Sequence, residues 1–527
     1  MIEADYVVVG AGSAGCAVAA RLAEIPGASV VLLEAGGRAR NPWLHIPIGY
    51  AKTMYHPTLS WNLKTAAEPE LKGRQVNWPR GRVLGGSSAI NGLIYIRGQA
   101  ADFDHWRQLG CTGWSFADVL PFFRAAEDNE RGADALHGQG GPLSVSNMRD
   151  RNPISAAFIE AGQELGFAFN DDFNGPEQEG VGWFQVTARN GLRCSAATAY
   201  LKPPRANLKV LPDAPARRLI IEDGRCAGVE YADGQVVRAR REVVLSSGAI
   251  HSPQLLMLSG IGDGEHLQSM GIETRHHLPG VGRNLQDHFQ ARMVFRANQP
   301  VTFNDVAGSL WGQLRTGLEF ALRRTGPLTF SAGTAGLFAR VMPQSATPDV
   351  QFHFIPFSAD GPGQGLHKFS GFTISMCQLR PESRGSITLA SPDPAAQAHI
   401  QANYLAAQFD RDCMVAGLHL TRKLAATSAL SRWIEDEYLP GPAAQGDAGM
   451  LEHARTYGST IFHPSGTCRM GDVVDNRLRL NGIDGLRIAD ASIMPTVVSG
   501  NTNAACIMIG EKCAAMMRED ARQRMAA

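Results

Sequence analysis

The sequence carries no net charge, because fifty basic residues are offset by fifty acidic ones. A protein that grips nucleic acid or an anionic surface wants a basic excess, so no nucleic-acid partner is expected. It also lacks any C-x-x-C pair. Its nine cysteines, an odd number, are scattered from Cys16 to Cys513. That pattern reads as reduced thiols in a cytoplasm-like compartment, not as a disulfide frame or a metal site. No apolar run reaches the ~18 residues of a membrane span; the best candidate, "NAACIMIGEKCAAMM", is broken by Glu511 and Lys512. The opening "MIEADYVVVGAG" has acids where a secretory leader needs bases. The expectation is a soluble, cytoplasmic protein without an integral membrane segment; peripheral membrane contact is left open. Repeats and low-complexity tracts are missing too. The 527 residues exceed the ~250–300 of one hydrophobic core, so the chain must divide.

What is present begins with "DYVVVGAGSAGCAVAARLAE" (5–24). A β-branched run passes through Gly10, Gly12 and Gly15 into an Ala-rich stretch with helical spacing, which is strand, tight turn and helix. The glycines permit the turn, the approach of backbone to a pyrophosphate and close helix–strand packing. The anion is met by free N–H groups at the helix N-terminus. A second strand, "ASVVLLEAG", ends in Glu34, 19 residues past Gly15. At that distance a carboxylate accepts from adenosine ribose hydroxyls. This motif does not separate NAD from FAD. A later stretch, "GRVLGGSSAIN" (81–91), places Gly85, Gly86, Ser87, Ser88 and Asn91 together, which suits a loop wrapped round a polar, planar ligand.

Five long stretches then resemble the glucose–methanol–choline (GMC) oxidoreductases: residues 81–104, "GAIHSPQLLMLSGIG" (248–262), "LPGVGRNLQDH" (278–288), "FHPSGTCRMG" (462–471) and "LRIADASIMPTVVSGNTNAACIMIGEK" (486–512). The resemblance covers the whole chain. It implies an α/β fold with a discontinuous, Rossmann-like FAD-binding part at 1–150, 196–292 and 456–527. An antiparallel sheet with helices, at 151–195 and 293–455, would form the substrate part. FAD contacts are implied for Gly10, Gly12, Ser13, Ala14, Gly15, Glu34 and Ala35. Others are implied for Arg82, Gly85, Gly86, Ser87, Asn91, Gly92, Leu93 and Ile94, and for Ala216, Asp490, Ala491, Asn501 and Thr502. Asp490 also reads as a helix N-cap. The alternating stretches 348–358 and 372–391 read as antiparallel strands. The segment 310–326, with helical spacing and basic residues on one side, reads as a solvated amphipathic helix, and 439–449 as a loop.

By the same resemblance, a pair of side chains meets the reactive flavin face: His463 and Asn501, with Asn503 a rival for the second place. Alcohol oxidation needs such a pair. A hydride leaves carbon for flavin N5 only as the hydroxyl loses its proton, so a base must lie within hydrogen-bond reach. Histidine is mostly neutral at working pH, and an amide N–H stabilises alkoxide without competing for the proton. The expected activity is oxidation of a primary alcohol to an aldehyde, with electrons passed to oxygen, a quinone or another acceptor. The alternative is a hydroxynitrile lyase that uses the same histidine without redox chemistry. His251, His276, His277 and His288 read as structural, and His353 as a candidate pocket residue.

Two departures from the family pattern sharpen the expectation. Ile90 stands where some members carry a histidine bonded to flavin, so FAD should be held non-covalently. Choline-specific relatives carry an acid in the strand after "LQDH"; the matching stretch (293–300) offers Arg296, which argues against a quaternary ammonium substrate. Cys377 matches a cysteine of a light-driven decarboxylase in the family, but that enzyme lacks the histidine found here. Oxidase and acceptor-dependent dehydrogenase share these motifs, and the oligomeric state is not encoded in them.

Overall fold

A computed structural model describes residues 2–361 and 363–526. Two seven-stranded sheets dominate those residues. In the first, the central strand Ile2–Val9 lies between Val30–Leu33 and Gln235–Leu245, both parallel to it. Leu208–Leu211 extends one side, and Leu486–Ile488 pairs in parallel with Gln235–Leu245. The strands are β-branched and buried on both faces, as parallel strands sandwiched by helices must be. Register brings their carboxyl ends level: Val9 pairs with Leu33 and Leu245, and Leu245 pairs with Ile488. Gly10, Glu34, Ser246 and Asp490 therefore emerge at one edge. That edge is the switch point where doubly wound sheets bind ligands. An antiparallel pair, Ala216–Glu222 and Arg225–Tyr231, continues the sheet beyond Gln235–Leu245.

The second sheet is antiparallel throughout, in the order Ile434–Leu439, Phe289–Ala297, Gly371–Gln378, Val350–Ile355, Ala335–Ala339, Gly180–Trp183. Helices Pro153–Glu164 and Gln408–Ala425 pack against it. The sequence boundary expected at 292/293 falls inside the strand Phe289–Ala297, and Ser459–Thr460 also pairs with that strand. The stretch 372–391 holds two strands divided at its Pro/Gly turn. After Gly371–Gln378 the chain breaks near Pro381 and Gly385, and Ser386–Thr388 pairs instead with His399–Gln401. The expected loop at 439–449 is shorter, since a helix starts at Gly446.

The helix Leu310–Arg323 forms as its spacing predicts, and its solvated side carries large apolar residues as well as the exposed Arg315 and Arg323. Leu310, Trp311, Leu314, Leu318 and Leu322 point outward, while Thr316 and Phe320 are buried. The nine cysteines are all free thiols, and Cys377 is packed beside Ile94, Ile96 and Phe338.

Candidate active site

A continuous cavity of about 560 Å³ runs from the carboxyl edge of the first sheet to the face of the second. At its first end the helix Ser13–Leu22 begins at Gly12 with no side-chain cap, so its leading N–H groups are free for an anion. A Cβ on Gly12 would approach only Ser246 O, at 3.9 Å, and would project into the cavity. Gly86, at φ +53°, packs so closely that a Cβ would lie 2.7 Å from Gly12 Cα. The two glycine-rich loops therefore form one wall.

Glu34 is buried and accepts from Ala11 N at 3.0 Å and Gly36 N at 2.8 Å. Burial pushes its carboxyl up to about 7, a cost that ribose hydroxyl donors would offset. Asp490 is also fully engaged: Oδ2 accepts from Ser252 Oγ at 2.6 Å and Gly248 N at 2.9 Å, while Oδ1 accepts from Ser492 N at 2.8 Å. It lines the cavity and caps the turn Ala491–Ile493, the N-cap expected of it.

Ser13, Ala14, Ala35, Ser87, Asn91, Gly92, Leu93, Ile94, Ala216, Ala491 and Thr502 line the cavity together with Gly10, Gly12, Glu34, Gly86, Asp490, Asn501 and His463. Gly15, Gly85 and Arg82 do not. Gly15 lies beneath the turn, where a Cβ would come within 1.9 Å of Gly10 O. Gly85 donates its N–H to Ala11 O at 2.8 Å, tying the two loops. Arg82 turns over the Trp61 ring at 4.6 Å. Asn91 is held by Arg193, a buried cation missed in the sequence, which donates to Asn91 Oδ1 at 2.6 Å and to Asn91 O at 2.7 Å.

At the second end lies His463, 8% exposed. Its backbone N–H donates to Asp287 Oδ1 at 2.7 Å. Phe462, just before it, adopts a left-handed backbone (φ +72°), costly for a bulky residue. That shape is fixed by Phe462 N donating to Thr460 Oγ1 at 2.6 Å and by Arg80 Nη2 donating to Phe462 O at 2.7 Å. Asp287 also accepts from the hydroxyls of Tyr404 and Thr460.

The proton positions follow from one carbonyl. His288 Nε2 lies 3.0 Å from Leu379 O, which can only accept, so this nitrogen carries a hydrogen. Burial holds His288 down at about 4, hence neutral, and its Nδ1 is a bare acceptor. That atom is 2.9 Å from His463 Nδ1, so His463 donates from Nδ1. Burial, then the neighbouring His288, Arg80 and His353, keeps His463 well below the ordinary imidazole range. Its Nε2 is therefore unprotonated. Asn501 Nδ2 lies 3.4 Å from Nε2. Gln351 Nε2 donates to Asn501 Oδ1 at 3.2 Å, which turns the Asn501 amide nitrogen toward the histidine. Asn503 is committed elsewhere, accepting from Ser13 Oγ at 2.8 Å.

The second sheet lays rows of side chains across this chamber. Gln290, Cys377 and Gln351 are in register, as are Arg292, Ser375 and His353, one row and ~7 Å further along the strands. Arg292 and His353 line the cavity. The hydrogen bond of Arg292 goes to Asp360 O at 3.0 Å, not to a carboxylate. Arg296 does not reach the chamber: it faces Asp436 at 3.5 Å and lies over Phe369 and Tyr438. Of the two arginines on this strand, Arg292 is the one on the cavity wall, which Arg80 also lines.

Fold and site together define a flavin-dependent oxidoreductase of two sheets joined by one cavity. The described residues fit FAD: an uncapped helix start, the buried carboxylate of Glu34 and a buried, unpartnered Ser246 hydroxyl all line the same chamber. Two GMC oxidoreductase models match residues 4–290 and 381–510, so the chain belongs to the GMC oxidoreductase family and is an FAD enzyme acting on CH–OH donors. It is 41% identical over 524 residues to an oxygen-dependent choline dehydrogenase of Rhizobium etli (strain CIAT 652) and 40% identical over 526 residues to an alcohol dehydrogenase [acceptor] of Pseudomonas putida. Each alignment covers 97% of this chain and 95% of the relative. Among solved structures, pyridoxine 4-oxidase from Mesorbium loti superposes with a TM-score of 0.89 at 32% identity, covering 98% of this chain and 99% of that one. A formate oxidase gives a TM-score of 0.93 at 27% identity, covering 99% of both chains.

Proposed function

We propose that the protein oxidises a primary alcohol to an aldehyde, with His463 as general base and Asn501 as the second partner of the hydroxyl. The observation that supports this best is the bare Nε2 of His463, facing the Asn501 amide inside the cavity. FAD, when bound, takes up the electron pair and hydrogen that leave the carbinol carbon. His463 Nε2 receives the hydroxyl proton, and the Asn501 N–H steadies the oxygen as it becomes negative. The resulting imidazolium keeps its Nδ1–H on His288. Both rings are buried, which keeps solvent from the contact behind the base. In this reading residues 1–150, 196–292 and 456–527 supply the cofactor half and 151–195 and 293–455 the substrate half. FAD is non-covalent because Ile90 lines the cavity with a hydrocarbon.

The substrate in this reading carries no cationic head. Arg292 faces the chamber one row beyond the catalytic pair, and like charges a few ångströms apart repel by up to ~4 kcal/mol near a protein surface. The reading therefore parts from the choline activity in the name of one relative and keeps the alcohol activity in that of another. Its electrons go to an acceptor or to oxygen. The test is anaerobic mixing of the yellow holoenzyme with a panel of alcohols, followed by air. A bleached flavin with aldehyde formed is expected, and the speed of recolouring separates an oxidase from an acceptor-dependent dehydrogenase. Persistent colour with aldehyde released from a cyanohydrin would instead establish a lyase.

A further inference from the structure

Among the described residues, half of the exposed large apolar side chains sit on one helix. On Leu310–Arg323, Leu310 is 83% exposed, Trp311 and Leu322 81%, and Leu314 and Leu318 53%. Positions 310, 314, 318 and 322 follow the i, i+4 rule and form one continuous ridge. Thr316 and Phe320, on the opposite side, anchor the helix to the protein. The helix lies flat on the surface with its apolar face outward, the reverse of a helix that serves a core.

The exposed charges of this helix are of one sign. Arg315 and Arg323 are exposed, and Arg324, at the helix end, lies over the Phe320 ring at 5.0 Å. The one acid of the helix, Glu319, turns inward, accepting from Thr325 Oγ1 at 3.1 Å. A leucine ridge led by a tryptophan and flanked by arginines is the composition of a helix that lies in a lipid interface. A second copy is a poorer occupant. A two-fold contact sets the same patch against itself and would face arginines with arginines.

We propose that Leu310–Arg323 is a docking helix for an anionic lipid surface, with the leucines entering the acyl boundary and the arginines meeting headgroups. The chain leaving this helix passes through Pro327–Thr329 to Ala332, which lines the active-site cavity, so docking holds the substrate chamber close to the bilayer.

The test is co-sedimentation of the FAD-loaded enzyme with phosphatidylcholine vesicles, with and without phosphatidylglycerol. Wild-type enzyme should pellet with the phosphatidylglycerol vesicles, less so in high salt. The L314E/L318E variant, altered only at exposed sites, should keep its flavin spectrum and its rate with a soluble alcohol, yet lose at least about tenfold in vesicle binding. R315A/R323A should weaken binding only to the anionic vesicles. Wild type that ignores both vesicles, or L314E/L318E that binds as well as wild type, overturns the proposal. So does a concentration-dependent dimer that L314E/L318E abolishes, which would assign the ridge to a second copy.

Discussion

His288 Nδ1 and His463 Nδ1 lie 2.9 Å apart, from positions 175 residues apart in the chain, with the rings nearly perpendicular. Only one of two such nitrogens can carry the hydrogen, and the carbonyl of Leu379 behind His288 decides which. The tautomer of the base is thus set two residues away from the substrate.

Replacing the base tests its role directly. His463→Ala should bind FAD and stay yellow, yet its flavin should be reduced by alcohol ~10²–10⁴-fold more slowly, the usual worth of a positioned base. Stopped-flow absorbance under argon reads the rate; an unchanged rate would remove His463 from the mechanism.

His288 touches neither substrate nor cofactor in this account and is a positioning residue. His288→Leu removes the acceptor for His463 Nδ1 and frees the imidazole to take the wrong tautomer. Turnover should fall at least about tenfold, a ~1.4 kcal/mol effect, with KM little changed. A rise in KM alone would point to a packing role instead.

The pH profile carries a sign. The base must be unprotonated, and burial lowers its pKa well below the ordinary imidazole range. Lowering pH therefore protonates it later than a free histidine, whose midpoint is ~6.5. Flavin reduction should stay flat as pH falls through that value and decline only in stronger acid. A break at the ordinary imidazole midpoint would contradict the buried, neutral site.

Arg292 should govern charge preference. Wild type should favour uncharged or carboxylate-bearing alcohols over choline. Arg292→Met should narrow that preference by at least about tenfold in kcat/KM, since the charge it removes is worth up to ~4 kcal/mol at close range. Arg296→Met, at the outer end of the same strand, should leave the preference alone.

Cofactor retention divides into two measurements. Gly12→Val should purify colourless, because its side chain would enter the cavity beside the free helix start. Acid precipitation of wild type should leave the flavin in the supernatant; colour in the pellet would contradict the reading of Ile90.

Much of this site is legible in the sequence because its constraints are local. Gly10, Gly12, Gly15 and Glu34 lie within one strand–turn–helix–strand unit, and backbone geometry alone dictates their spacing. Asp287 and His288 are different. Their motif is visible, but its work, holding the backbone and ring of His463, exists only once two distant segments pack. The two arginines of one strand show a finer limit. Arg292 and Arg296 share a face by alternation, yet only the structure tells how far along the strand the chamber extends and that Asp436 waits at its outer end. The leucine ridge was equally hidden: helical spacing reveals an apolar stripe but not which way it turns.

Ser13 Oγ and Asn503 Oδ1 are 490 residues apart in the chain and 2.8 Å apart in space, and Arg21 reaches Glu511 in the same pair of helices. The nucleotide-binding motif is therefore synthesised long before the helix that completes its pocket. No nascent chain can grip its cofactor in full before Asn503 and Glu511 have been made, so loading waits on a helix hundreds of residues downstream, and truncation before Asn503 should empty a site begun at Gly10.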